Sequence, residues 1–172
     1  MDEVILVNSN DEQVGTLEKL AVHQQGLLHR AFSVLVFNHK GELLIHQRAH
    51  EKYHCAGLWT NTCCSHQRLG ETNEKAAQRR LQEEMGFTVP VHTIGSFIYR
   101  VTFDNGLIEH EYDHVLMGKF NEEPVPDPTE VVDWKYISLE ELGRDIHDFP
   151  NKYTFWFKEI MHRFGAEIKK RL

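Results

Sequence analysis

The stretch SHQRLGETNEKAAQRRLQEEMG, residues 65–86, changes character at its middle. From Asn73 to Met85 it is built almost wholly of strong helix formers, with Asn73 as the expected N-cap and Gly86 as the C-terminal stop. Glu83 and Glu84 sit together, Arg79 lies four residues before Glu83, and Glu71 lies eight before Arg79. Residues three or four apart share a helix face. Acids so placed either hold a divalent cation, as carboxylates and water hold Mg²⁺ against a diphosphate, or are used up in salt bridges on a solvated surface. Charge pattern alone leaves both readings open.

Immediately upstream, LWTNTCCSH at 58–66 puts Cys63 and Cys64 three and two residues before His66. A disulfide between neighbours is strained. The chain holds no C-x-x-C pair, so a zinc ribbon is excluded. Cys55 makes the count odd, against a disulfide framework, and a reduced, cytoplasmic protein is expected.

Further out, the pattern alternates strands and helices. EVILVN reads as an opening strand and TLEKLAVHQ as a short helix. HRAFSVLVFN and GELLIHQR are β-forming runs around Asn38-His39-Lys40-Gly41, a hairpin signal. GSFIYRVTF and LIEHEYDHVLMGKF form a second hairpin around Asp104-Asn105-Gly106. EEPVPDPTE is a loop before the strand VVDWKYI; Ser138 caps LEELGRDI, and a final amphipathic helix runs from Lys152 to Leu172. Hairpins with helices between and after them predict an α+β architecture, a mixed sheet between helices rather than a doubly wound parallel one. With 172 residues and no linker or repeat, one domain spanning 1–172 is expected.

The bulk numbers exclude several classes. A net charge of −7 without a basic block disfavours nucleic acid. No apolar run is long enough to span a membrane. The acidic start, MDEVILVNSNDEQ, is unlike a secretory signal. Twelve histidines are the odd figure in the composition. Histidine is a common metal ligand, so the question is whether a subset converges.

Residues 65–86 resemble the Nudix box, G-x5-E-x7-R-E-U-x-E-E-x-G-U, matching at Glu71, Arg79, Leu81, Glu83, Glu84 and Gly86. Ser65 replaces the box's first glycine, and Arg80 replaces a metal-binding glutamate. Trp59-Thr60-Asn61 with Cys64-Ser65-His66, ahead of that altered box, resembles the type I isopentenyl-diphosphate isomerase family. So do GTLEKLAVH, LHRAFSVLVFN, QRAHEK and IEHEYDHVL, in order from about residue 4 to residue 160.

The resemblance implies a metal site of His23, His29, His66, Glu109 and Glu111, suited to Mn²⁺ or Zn²⁺. Glu109 and Glu111 are two apart, so on a strand both face one way. It implies a catalytic Cys64, with Cys55 and Cys63 as buried filler. Arg48 and Lys52 are implied as diphosphate ligands, helped by Lys19 and Arg80, with Glu84 holding a Mg²⁺ that bridges to the diphosphate. Glu111 is the expected acid, Tyr99 its hydrogen-bond partner or relay. Trp156 is either a π face for a cationic intermediate or an aromatic core anchor. The implied partner is a small prenyl diphosphate, with the chain a monomer or weak homodimer. Two rivals remain: a Nudix hydrolase, which predicts an acid at position 80 and leaves Cys64 idle, and a metal-binding module, which leaves Arg48 and Lys52 unexplained.

Overall fold

The computed structural model describes residues 3–52 and 54–172; residues 1, 2 and 53 of the expected 1–172 domain lie outside it. The elements in chain order are β1 (Glu3–Val7), β2 (Gln13–Glu18), α1 (Lys19–Gln25), β3 (His29–Phe37), β4 (Leu43–Arg48), β5 (Trp59–Thr60), β6 (Cys63–Ser65), α2 (Asn73–Met85), β7 (Val91–Thr102), β8 (Ile108–Lys119), β9 (Val131–Ile137), α3 (Leu139–Asp148) and α4 (Phe155–Arg171). A single 3₁₀ turn, Pro150–Lys152, precedes α4, so the last helix starts three residues later than expected.

The nine strands of the described residues form one mixed sheet with β3 at its branch point. β3 pairs in parallel with β8 along its whole length, from His29↔Glu111 to Phe37↔Lys119, and antiparallel with β6. The expected hairpin between β3 and β4 is a single pair wide, Phe37↔Leu43, because each strand finds a better partner: β8 for β3, β9 for β4. The second hairpin is long and regular, from Val91↔Gly118 to Thr102↔Ile108, with a bulge between Thr93 and Gly95. The helix expected over TLEKLAVHQ begins only at Lys19; Gln13–Glu18 instead completes a hairpin with β1.

Helices cover both faces. Ala76, Ala77, Leu81 and Met85 of α2 pack on Phe32, Val34, Val36 and Leu44. Leu139 and Leu142 of α3, and Phe157, Ile160 and Ile168 of α4, pack on Leu35, Phe37, Ile45 and Val115. The expected mixed sheet between helices is therefore what forms. Thr72, not Asn73, caps α2: its hydroxyl accepts from the Lys75 amide, while Asn73 accepts from Gln67. Gly86 ends α2 at φ 76°, where a Cβ would stand 2.2 Å from the Val125 carbonyl oxygen. That contact needs glycine, because the Pro-rich loop turns back here: the amides of Val125 and Asp127 donate to the carbonyls of Met85 and Glu84.

Candidate active site

Along β8, Glu109, Glu111 and Asp113 are buried while their neighbours are half-exposed, so the period of two sends three acids to one face. Charges taken out of water need partners, and histidines provide them from three other segments. His23, on α1, places Nε2 3.1 Å from Glu109 Oε2. His29, the first residue of β3 and the register partner of Glu111, places Nε2 3.5 Å from Glu111 Oε1 and 4.0 Å from Glu109 Oε2. His66, just beyond β6, places Nε2 3.1 Å from Glu111 Oε1. The five side chains expected as ligands are thus neighbours, His23, His29, His66 and Glu111 in one cluster and Glu109 beside His23.

The donor set fits a divalent cation. His23 and His29 donate through Nδ1 to the carbonyls of Lys19 (2.6 Å) and Leu27 (2.9 Å), which turns both Nε2 lone pairs inward. His29 Nε2 is buried with no hydrogen-bond partner. Burial pushes His66 down to about 4, which keeps its ring neutral and able to ligate. His23, His29, His66 and Glu111 offer ligand atoms all within 4.8 Å of one another.

The second oxygen of Glu111 accepts from Tyr99, its cross-strand partner, at 2.6 Å. Burial, reinforced by Glu111 and Glu109, pushes the Tyr99 hydroxyl well above its usual range, so it stays a donor. Cys64, paired with Ser33 on β3, opens onto the same cleft as Glu111, Tyr99 and Trp156. Burial pushes its thiol up to about 12, so it rests protonated, against the pull of the Arg48 guanidinium. Trp156 is anchored in the core, as one of its two readings expects. Its indole N–H donates to Thr60 Oγ1 at 3.1 Å within the core, and its ring carries the Arg48 guanidinium 5.4 Å from the centroid.

Lys19, Arg48, Lys52, Arg80 and Glu84 line that cleft as well. Arg48 donates to the His54 carbonyl at 3.3 Å, and its Nε is buried without a partner. Lys52 pairs with Glu130, and Arg80 with Glu84, Glu83 and Glu130. Arg80 therefore neutralises the box's own acids before any ligand arrives. Glu71 is equally engaged, gripping Arg79 through both oxygens at 2.7 and 2.9 Å, while Arg79 also donates to the His66 carbonyl at 3.3 Å. Cys63 is buried in the apolar cluster under α2, as expected, on the other side of the sheet from Cys64, and its thiol also donates to Glu84 Oε2 at 3.5 Å. Cys55 is only half-buried, in the left-handed region at φ 51°.

Three residues of the site were missed. His54 lies 2.8 Å from Glu109 Oε1; a lone histidine in a loop gives no signal of that kind. Asp113 accepts from Ser33 at 2.8 Å and keeps one buried oxygen without a partner; the i, i+2, i+4 run of acids on β8 was its readable signal. Buried His46, in the cleft wall, donates to the Thr62 carbonyl at 3.1 Å.

Residues 27–163 match the NUDIX domain family. The chain is 51% identical over 163 residues to an isopentenyl-diphosphate Delta-isomerase 2 of Photorhabdus laumondii, covering 94% of this chain and 92% of that protein. It is 48% identical to an isopentenyl-diphosphate Delta-isomerase of Serratia proteamaculans, covering 99% and 96%. Among solved structures, a Deinococcus radiodurans protein superposes with a TM-score of 0.72 at 21% identity, over 86% of this chain and 90% of that one. A MutT protein from Methanosarcina mazei gives 0.67 at 20% identity, over 81% and 94%. The structural likenesses speak for the fold alone.

Proposed function

We propose that this chain, which belongs to the NUDIX domain family and within it to the isopentenyl-diphosphate Delta-isomerases, converts isopentenyl diphosphate to dimethylallyl diphosphate. The observation that carries this reading is the sharing of one cleft: a thiol, a tyrosine-bonded carboxylate and an indole face the same space as four cationic side chains. A hydrolase of this fold would work through the acids of the box, and here Glu71, Glu83 and Glu84 are held by Arg79 and Arg80.

Moving the double bond adds a proton to the terminal carbon of the alkene and takes one from the carbon on the far side. The alkene is a very weak base, so the acid must be held in place and the developing tertiary cation stabilised. Glu111 is the acid and Tyr99 fixes its outer oxygen. Cys64 is the partner group on the other side: its thiol proton, passed to Glu111, leaves a thiolate that takes the proton from the far carbon once Glu111 has protonated the terminal one, so the pair ends as it began. Trp156 presents a π face worth roughly 0.5–2 kcal/mol to a cation, and the buried walls keep out water that would capture it.

Arg48 and Lys52, with Lys19 and Arg80 behind them, bind the diphosphate, and Glu84 would help to hold a Mg²⁺ beside it. His23, His29, His66, Glu109 and Glu111 would hold Mn²⁺ or Zn²⁺. When bound, that cation fixes the orientation of Glu111 and polarises it. Three unpaired thiols suit a reducing compartment such as the cytoplasm, and no helix of the described residues is long and apolar enough to cross a membrane. Incubation with isopentenyl diphosphate and Mg²⁺ tests the reading: dimethylallyl diphosphate is expected, whereas released phosphate favours the hydrolase and no product at all the metal-binding module.

A further inference from the structure

We propose that His54 is a positioning residue of the metal centre, acting through Glu109. The inference rests on the reading of Glu109 as a ligand. The two oxygens of Glu109 are divided between different neighbours. Oε2 faces His23 at 3.1 Å and His29 at 4.0 Å, on the side where the other ligand atoms gather. Oε1 meets His54 Nε2 at 2.8 Å, and His23, His54 and Glu109 offer atoms within 4.8 Å of one another. A carboxylate that binds a cation through one oxygen leaves the other needing a donor, and a buried oxygen cannot find one in water. Since a carboxylate only accepts, the proton of this contact sits on His54 Nε2.

The ring is well placed to hold a fixed geometry. It stacks on Phe103, with centroids 5.2 Å apart and planes 14° from parallel, and meets Trp156 edge-on at 6.1 Å. Its side chain is 8% exposed. The backbone of the same residue accepts from Arg48 at 3.3 Å, so the loop that carries His54 is fastened to a cation of the diphosphate cleft. Neither the Nudix box nor the segments that carry the family resemblance includes position 54. With His54 in place, Glu109 presents Oε2 to the cation without searching; without it, the carboxylate can swing and use either oxygen or neither.

Metal affinity, measured with Mn²⁺ in competition against a fluorescent chelator, is the readout, and turnover is not needed. His54→Ala should weaken binding about 10–100-fold, the usual effect of removing such a partner. His54→Gln, whose amide N–H can reach Oε1, should recover most of the loss. In a Glu109→Ala background, adding His54→Ala should cost nothing further, since the contact it removes is already gone. With Co²⁺ at saturation, the visible bands of His54→Ala should match those of the unaltered protein. Unchanged affinity in His54→Ala, an equal loss in the Glu109→Ala background, or no recovery with glutamine each overturns the proposal. So does a changed Co²⁺ spectrum, which would make His54 itself a ligand. Unaltered affinity in Glu109→Ala alone removes the ligand reading and this proposal with it; a loss there beside normal His54→Ala removes only the role of His54. Melting of each variant in EDTA controls for folding. If His54→Ala does not fold, His54→Asn, too short to reach Oε1, takes its place in every comparison.

Discussion

The acids of the box and the acids of β8 have been given opposite partners. Glu71, Glu83 and Glu84 meet Arg79 and Arg80, whose charge is permanent and whose nitrogens have no lone pair to give. Glu109 and Glu111 meet His23, His29 and His66, which can be neutral and offer a lone pair, while His54 donates to Glu109 Oε1. The first arrangement is charge-compensated before any ligand arrives and braces the fold: through Arg79 it ties the middle of α2 to Glu71 and the His66 backbone. The second invites a cation. A box that defines the fold has thus become a brace for a centre built on another element, and the two adjacent cysteines divide between them, Cys63 against Glu84 and Cys64 toward Glu111 and Tyr99.

The largest expected effect separates those cysteines. Cys64→Ala should lower kcat by about 10³-fold or more, in the range of a lost acid–base group, whereas Cys63→Ala should stay within about threefold because its partner Glu84 keeps Arg80. Steady-state kinetics on the two variants decide it. Equal losses would mean that the box side of the sheet takes part in the chemistry, and the contrast would collapse.

Next come the two kinds of residue within the β8 centre. Glu111→Gln should lose about 10²–10⁴ in kcat while keeping metal, since an amide oxygen still ligates but delivers no proton. His66→Ala should lose metal first, about 10–100-fold in affinity, with turnover partly restored by excess Mn²⁺. Elemental analysis beside turnover distinguishes them. Normal kcat in Glu111→Gln, or full metal with no activity in His66→Ala, breaks the division of labour.

How much of this contrast could be read beforehand differs by region. The helix over 73–85, its glycine stop, the cap at Ser138 and the Asp104–Gly106 turn are local signals and stand. What sequence could not supply were the choices made by distant partners. The β3–β4 hairpin shrank to one pair because β8 and β9 were available, and Gln13–Glu18 became a strand because β1 was. At the site, the five side chains proposed as ligands were legible only through the order of short motifs. His54 was not, because its role exists only where the 52–58 loop meets β8. Nor could the spacing of Glu and Arg around α2 say whether its acids were free or already paired.

A smaller effect concerns the histidine that has cations rather than carboxylates beside it. His46, on the same side of β4 as Leu44 and so toward α2, is held down to about 3, first by burial and then by Arg48 and Lys52. Its unfolded value is near 6.5, so below that pH the unfolded chain takes up a proton that the folded chain refuses. Its contribution is complete above about pH 6.5 and is lost as pH falls toward 3. Between pH 7 and 4.5 this amounts to about 2–3 kcal/mol of stability in the metal-free protein. Urea melts in EDTA should show His46→Gln with a correspondingly flatter decline than the unaltered chain. Parallel declines would mean that His46 is protonated in the folded state.

The smallest expected effect is the most demanding of the comparison. Glu83 is a conserved letter of the box pattern, yet its carboxylate is 39% exposed and bound to Arg79 and Arg80. Exposed ion pairs of this kind contribute roughly 0–1 kcal/mol. Glu83→Gln should therefore leave isomerisation and metal content within about twofold and shift stability by less than about 1 kcal/mol. A box that works by metal chemistry predicts the reverse, since an acid lost from a cation cluster stops turnover. Arg80→Glu, which restores the box's missing acid, probes the same point from the other side. It places a fourth carboxylate among Glu83, Glu84 and Glu130, so it should weaken diphosphate binding by repulsion and release no phosphate. Phosphate release from Arg80→Glu with KM unchanged, or collapse of turnover in Glu83→Gln at full metal content in the β8 centre, would show that the arginines restrain a working hydrolytic site rather than complete a brace.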